Sequence, residues 1–277
     1  MKGDEGVGRG MKGDEGEGQV VTLPLTTLHH PSRPFITPPH PSPHLAGHEK
    51  RSYIQRLFTR IAPRYDWFNR LASCGLDQRW RREALVRGGI QPGQRILDVC
   101  AGTGDLAILC AGRQQGVGSV VGIDMNRQML SSAQDKQREK RLRIDWLQAD
   151  AEQLPFASGA FDRVLIGFST RNLSDLVGGL REMVRVLQPN GRLIVLETGY
   201  PSNPLMRLGY QAFLFTVARL IGFVLTGECW PFTYLARSVR QFLTPQEFVE
   251  RLQAVGAQVE YVPLSYGLAS LYLVTKA

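Results

Sequence analysis

The feature that most narrows what this chain can fold into is a short apolar strand ending in a glycine-rich turn. Residues 96–99 (Ile-Leu-Asp-Val) run straight into Cys100-Ala101-Gly102-Thr103-Gly104-Asp105-Leu106. Glycine at 102 and 104 lets the backbone approach a ligand where a side chain would block it. In doubly wound sheets such a turn, at the carboxyl end of the first strand, is where nucleotides bind. The rest of the chain alternates as that architecture requires. Strands are predicted at residues 95–99, 119–123, 144–147, 163–167 and 192–197, and helices at 77–87, 106–110, 128–137 and 175–187. Alternation of this kind means right-handed βαβ units and a parallel sheet. Thr244-Pro245-Gln246-Glu247 supplies an N-cap, a proline at the first helical position and a capping-box acid, with Gly256 as the stop. Residues 259–263 and 268–274 close the chain as an antiparallel pair. The expected fold class is α/β: a mostly parallel seven-stranded sheet with helices on both faces. N-terminal helices precede it, with Tyr53, Leu57, Phe58 and Ile61 at helical spacing and Pro63 closing the first.

Length and composition set limits on this reading. A chain of 277 residues suits one α/β domain with a tail. Residues 1–48 stand apart: MKGDEG at 1–6 recurs at 11–16, and prolines and histidines crowd 29–48. That composition predicts a disordered tail. All five histidines lie in it, so residues 49–277 contain neither a histidine base nor a histidine-held metal, and no metal is expected. Cys74, Cys100, Cys110 and Cys229 have no paired spacing and are expected to be reduced and mostly buried. No signal peptide is visible, so the expected location is the cytoplasm. Residues 205–225 are strongly apolar, but Arg207 and Arg219 interrupt them, and a central arginine is costly in a bilayer. They read as a lid or a core helix. Residues 49–95 hold eleven Lys/Arg against four acids, a net +7 within a total of +8. Such a stretch suits an anionic surface, or is a solvated helix face.

Two further loops converge on the glycine turn. Asp124 ends the second strand, where an acid can accept both ribose hydroxyls; the alternative is an N-cap for the next helix. Asp150-Ala151 ends the third strand, where an acid can accept from an adenine amino group. The six-residue dinucleotide fingerprint is incomplete, because Ala107 takes its last glycine position. With the acids at Asp98 and Asp150, that argues against a nicotinamide oxidoreductase.

The motifs over residues 51–200 resemble the ubiquinone/menaquinone biosynthesis C-methyltransferases. The carrying stretches are Tyr65-Asp66-Trp67-Phe68-Asn69, residues 97–106, residues 150–156 (Asp-Ala-Glu-Gln-Leu-Pro-Phe), Gly167-Phe168-Ser169-Thr170-Arg171-Asn172-Leu173 and residues 181–187. The resemblance implies a class I methyltransferase, Rossmann-like fold and S-adenosylmethionine as cofactor. It implies cofactor contacts at Thr103, Asp124, Asp150 and Ala151, and at Gly167 where the family often has serine. The full candidate set adds Asp98, Gly102, Gly104 and Met125. Pro189-Asn190-Gly191 departs from the usual Pro-Gly-Gly, although asparagine tolerates the left-handed conformation. Residues 200–277 match less well.

On the acceptor side the candidates are Arg171 and Asn172, just past the fourth strand, with Tyr65 and Asp66 closing over from the N-terminal helices. Structural roles in helix entry and surface packing are the alternatives. A phenol has a pKa near about 10, so a cation or donor beside its oxygen helps a ring carbon become nucleophilic. Asp66, Asp175, a tyrosine or water remain as candidate bases. The resemblance implies a lipophilic quinol, of the demethylmenaquinol or ubiquinol-precursor type, as substrate. Another phenolic or lipid acceptor, or a non-catalytic binding module, is the alternative. No nucleic-acid partner is expected, since the fourth strand lacks the Asn-Pro-Pro-Tyr-type box of base amino methylation. The domain plan is a tail (1–48), a helical cap (49–90), the sheet domain, and an apolar lid at about 200–240. A basic cap beside an apolar lid suits peripheral attachment to an anionic membrane.

Overall fold

In the computed structural model the described residues are 47–113, 116–255 and 257–276. The tail expected at 1–48 lies outside them up to residue 46, as does Gly256. Three helices come first: α1 (Gly47–Ile61), α2 (Tyr65–Ala72) and α3 (Leu76–Arg87). Then β1 (Arg95–Val99), α4 (Asp105–Ala111), β2 (Ser119–Asp124), α5 (Arg127–Lys140), β3 (Asp145–Gln148), β4 (Phe161–Gly167), α6 (Leu176–Arg185) and β5 (Leu187–Thr198) alternate. Three consecutive helices follow, α7 (Pro204–Phe215), α8 (Val217–Thr226) and α9 (Trp230–Gln241). The chain closes with α10 (Pro245–Gln253), β6 (Ala257–Leu264) and β7 (Ala269–Lys276).

The seven strands form one sheet in the order β3-β2-β1-β4-β5-β7-β6. The first five are parallel, and β7 inserts antiparallel between β5 and β6. Strand order reverses between β1 and β4, which opens a crevice at their carboxyl ends. Alternation along the strands feeds a core on each face. Leu97, Val99, Val164 and Ile166 pack with Leu180 and Met183 of α6 and Phe248 of α10. Ile96, Leu165 and Ile194 pack with Leu85 of α3 and Leu106 of α4 on the other. A third cluster joins α1 and α2 to α7–α9 through Leu57, Ile61, Phe68, Leu214, Ala218 and Phe232.

The capping box forms as expected: Thr244 Oγ1 accepts from the Glu247 amide, and Glu247 accepts from the Thr244 amide. Asn190 adopts φ +62. Here β5 begins at Leu187, which pairs with Phe161; the ladder then skips to Arg163 and Arg192, so residues 188–191 bulge out. That early pairing ends α6 at Arg185, short of the expected 187. The cysteines differ from expectation: Cys110 is buried, but Cys74 and Cys229 are exposed, both in connections between helices. Residues 205–225 form two helices, because Thr216 (φ −117, ψ −79) breaks them. Pro204–Thr226 is long and apolar enough to cross a membrane by length and composition, with 17% of it buried.

Gly222 shows how tightly α8 meets α9. A Cβ there would stand 2.1 Å from the Phe232 ring. Gly222→Ala should therefore destabilise the chain by about 1–3 kcal/mol through overpacking. Denaturant unfolding checks this, and calorimetry should find cofactor affinity unchanged, because α8 and α9 lie outside the cofactor cleft.

Candidate active site

The glycine turn is held open from below. The Gly104 amide donates to Ala101 O, and the Ala101 amide donates to Ile123 O, tying the turn to β2. Gly102 has φ +58, and a Cβ on it would meet nothing within 4 Å, so the backbone forms a cradle facing empty space. Its amide donates to Asp124 Oδ2 at 2.8 Å, and the Asn126 amide donates to Asp124 Oδ1 at 2.7 Å. The N-cap of α5 is Asn126, whose side chain accepts from Met129 N. That disposes of the capping alternative for Asp124, whose oxygens each keep a lone pair for a ligand. Burial raises the Asp124 carboxyl, and the two amides oppose the shift.

This cradle is one wall of a cleft with an empty volume of about 870 Å³, mouth included. Gly102, Thr103, Asp124, Met125, Asp150, Ala151 and Gly167 line it. Asp98 and Gly104 do not. Asp98 lies beneath the turn, 1% exposed, its Oδ2 accepting from the Ala107 amide of α4 at 2.9 Å. Gly104 packs against Trp146, where a Cβ would stand 2.6 Å from the indole. An acid at ribose height, an acid and a small residue at the next strand end, and a glycine cradle without a Cβ fit an adenosyl cofactor.

The opposite wall comes from α1, through Arg51, Ile54, Gln55 and Phe58. Arg51 spans Asp150 (3.1 Å) and Glu152, and Lys50 donates to Leu173 O at 2.5 Å. A network of side chains closes the floor. Asp66 accepts from Thr103 Oγ1 at 2.6 Å and from Lys136 at 2.8 Å, and Lys136 also reaches Asp105 at 2.7 Å. Burial alone would raise the Asp105 carboxyl, but Arg81, Lys136 and Arg70 outweigh it and hold it below the usual carboxylate range. Asp66 lines neither this cleft nor the chamber that adjoins it, and meets the cofactor cleft through Thr103.

A second chamber, with an empty volume of about 950 Å³, adjoins the first. Its walls are mainly apolar: Leu57, Phe68, Phe213, Leu214, Phe232 and Leu235 from α1, α2 and α7–α9. Phe58, Tyr65, Arg81 and Asn172 line both chambers. Arg171 lines the second; its ε-nitrogen is buried without a hydrogen-bond partner, and its Nη1 is committed. It donates to Glu197 Oε1 and to Phe168 O, each at 2.5 Å, and both side chains of the ion pair are at least nine-tenths buried. Thr170 Oγ1 donates to the other Glu197 oxygen. These contacts pin Phe168 at φ +57, a strained conformation at the end of β4. Tyr234 Oη donates to Asn172 Oδ1 at 3.1 Å. Burial pushes the Tyr210 and Tyr234 hydroxyls up to about 12, so both are neutral donors at physiological pH.

Sequence reasoning passed over Glu197, Arg51, Arg81, Tyr210 and Tyr234. Glu197 was within reach, since it lies next to the carboxyl end of β5, as Asp124 lies at that of β2. The others depend on which helix faces fold over the sheet, and no local pattern states that. Of the proposed bases, Asp175 is the exposed N-cap of α6, accepting from Gly178 N, and lines neither chamber.

The model of the ubiE/COQ5 methyltransferase family matches residues 46–276. A protein of Thermus thermophilus named demethylmenaquinone methyltransferase is 40% identical over 78% of this chain and 98% of its own length. A protein of Geotalea uraniireducens named ubiquinone/menaquinone biosynthesis C-methyltransferase UbiE is 37% identical, over 81% of this chain and 97% of its own. Among solved structures, a SAM-dependent methyltransferase from Aquifex aeolicus superposes with a TM-score of 0.53 at 17% identity, covering 71% of this chain and 89% of that one. At that identity the likeness concerns the fold alone.

Asp98 offers a test of the turn's support. Burial pushes its carboxyl up to about 7. A raised acid binds its proton more tightly folded than unfolded, so stability falls as pH rises from about 4 to about 7. Asp98→Asn keeps an acceptor for Ala107 and removes the titration. Its thermal midpoint should vary less than wild type between about pH 5 and pH 8, and exceed it at the upper end. Midpoints that track wild type throughout would exonerate Asp98.

Proposed function

Because the chain belongs to the ubiE/COQ5 methyltransferase family, and is an S-adenosylmethionine-dependent methyltransferase, we propose that it methylates a ring carbon of a lipophilic quinol. The class is that of demethylmenaquinol or a ubiquinol precursor. One observation carries the reading: an apolar chamber adjoins the adenosyl-type cleft across a wall of four side chains, Phe58, Tyr65, Arg81 and Asn172. An aromatic head group bearing a long isoprenoid chain matches that lining, while a polar acceptor would leave it unsatisfied.

Bound in the cleft, S-adenosylmethionine supplies a methyl group already activated on sulfur. The chain's own part is positioning and exclusion of water. Asp124 holds the ribose, and Asp150 with Ala151 the adenine. Gly102 and Thr103 carry the backbone past the sugar, Met125 covers it, and Gly167 leaves room at the end of β4. Asp98 and Gly104 serve the same end from behind. Tyr65 and Asn172 face the acceptor head group from the shared wall. Arg171 acts as half of a buried pair with Glu197, and so orients Asn172 and fixes Phe168. The neutral tyrosines cannot take a proton from a phenol of lower pKa; Asp66 is engaged with Thr103 and Lys136, and Asp77, the carboxylate of the acceptor chamber, with Ser73 and Gln78, so the acceptor's proton passes to water at the chamber mouth. The cap (49–90) closes over the cofactor, and the helices of about 200–240 form the acceptor lid. Residues 1–48 are a dispensable tail.

The outer face of that lid supports peripheral attachment to a membrane, with the cytoplasm as location. Leu205, Leu208, Leu220 and Val224 of α7 and α8 are each more than 60% exposed, and Arg56, Arg64, Arg79 and Arg82 of the cap region are exposed cations. Exposed apolar side chains together with exposed cations suit an anionic bilayer. The double variant L208E/V224E should lose co-sedimentation with anionic vesicles while retaining cofactor affinity.

The decisive assay offers labelled S-adenosylmethionine with demethylmenaquinol, a ubiquinol precursor and simple phenols. Label on a quinol carbon and none on the phenols is expected; transfer to the phenols alone would overturn the quinol reading. Asp124→Ala should weaken cofactor binding roughly 30- to 150-fold, as losing a charge-assisted pair does, measured by calorimetry on the folded variant. Arg171→Met strands Glu197 as a buried, unpaired charge and should cost about 3–5 kcal/mol of stability. Unfolding curves check this, and turnover is then compared at a temperature where both proteins are folded.

A further inference from the structure

Arg81 is the arginine that lines both chambers among the described residues, and its side chain is 7% exposed. Its ε-nitrogen, like those of Arg51, Arg70, Arg171 and Arg219, is buried without a hydrogen-bond partner. The nearest carboxylates, Asp105 at 3.6 Å and Asp77 at 3.8 Å, lie beyond hydrogen-bond reach. Both are already served: Asp105 by Gln78 and Lys136, Asp77 by Ser73 and Gln78. The guanidinium lies over the Phe168 ring at 5.1 Å, which fixes its plane. Its Nη1 is 3.3 Å from where a Cβ on Gly167 would stand, so the donors reach the end of β4 across from the glycine turn. A guanidinium has five donors and no acceptor. Leaving the ε-nitrogen buried and unmet is costly, and the ligand that matches the fork is a carboxylate held by two bonds.

We infer that Arg81 anchors the carboxylate of the cofactor's methionine part, and so sets where the sulfonium stands between the two chambers. Charge decides the assignment. The ribose and adenine end of the cleft is built from Asp124, Asp150 and Glu152, which repel a carboxylate, whereas Asp105, the acid that lines the cleft beside Arg81, is already paired with Lys136 at 2.7 Å. Arg51 and Arg81 are the cations lining the cleft among the described residues, and Arg51 is taken by Asp150 and Glu152. The amino-acid end of the cofactor therefore points to Arg81. A phenolic acceptor, neutral near pH 7 with a pKa of about 10, competes poorly for the same donors. Gly167 follows from this: a side chain there would crowd both Leu106 (2.8 Å) and Arg81. Arg81 is a binding residue that reaches the chemistry through the position of the methionine part.

The test compares S-adenosylmethionine with its decarboxylated analogue by calorimetry. The wild-type chain should bind the intact cofactor roughly 30- to 150-fold more tightly, the scale of one charge-assisted pair. Equal affinities overturn the inference without any variant. Arg81→Met should lose that preference, weakening the intact cofactor by the same factor while the analogue changes less than about threefold. Retained analogue binding shows that the cleft is folded. Equal losses for both ligands would make Arg81 a packing residue. Unchanged cofactor affinity with lowered turnover and a displaced pH–rate profile would assign it to the acceptor oxygen, and either result overturns the proposal.

Discussion

Parallel strands that end together bring their terminal residues together, and in this sheet those residues are acids. Asp124, Asp150 and Glu197 sit at or just past the carboxyl ends of β2, β3 and β5, with Asp98 beneath the turn and Asp105 beyond it. Carboxylates this close raise one another's proton affinity unless cations come to them. The molecule brings cations from outside the sheet: Arg51 from α1, Arg70 from α2, Arg81 from α3, Lys136 from α5 and Arg171 from the turn after β4. Part of the basic excess of residues 49–95, Arg51, Arg70 and Arg81, thereby faces these acids, while Arg56, Arg60, Arg64, Arg79, Arg82, Arg87 and Arg95 stay exposed. The same contacts that settle the acids also dock the cap, and the docked cap is what turns an open crevice into two chambers.

The sheet was legible because its signals are local. Period-two apolar runs, a glycine turn and a Thr-Pro-Gln-Glu cap each act within a few residues, and β1 was placed to the residue. The errors have the same origin. The end of α6 and the start of β5 are set by pairing with Phe161, far away in sequence, so periodicity alone ran the helix too far. On the cofactor side the strand-end rule placed Asp124 and Asp150 in the cleft, yet it could not say that Asp98 lies under the turn, since both positions are acids beside the same glycines. On the acceptor side, an arginine after the fourth strand looked like a free cation. Glu197 cancels that charge, and the partner is visible only once β4 and β5 lie side by side. Arg81 carries the opposite lesson: it sits in an unremarkable basic helix, and only the fold shows its ε-nitrogen buried without a partner between the two chambers.

Two kinds of order hold the site. The cofactor cleft rests on backbone hydrogen bonds and short carboxylate–amide contacts, which tolerate little displacement. The acceptor chamber rests on apolar packing among α1, α2 and α7–α9, with a glycine pressed against Phe232 and a break at Thr216. Apolar packing accepts changes of shape that a hydrogen-bonded loop does not. The part that must recognise one invariant molecule is thus the stiffer, and the part that receives a greasy and variable one is the more adaptable.

The shared wall of Phe58, Tyr65, Arg81 and Asn172 has a consequence for descent. The donor cleft lies mostly on the sheet side of it, and the apolar chamber mostly on the side of α7–α9. The two halves therefore answer to separate selective pressures and meet at four positions. A lineage can rebuild α7–α9 for a new recipient while inheriting the donor half intact. Those four side chains are where such drift must stop.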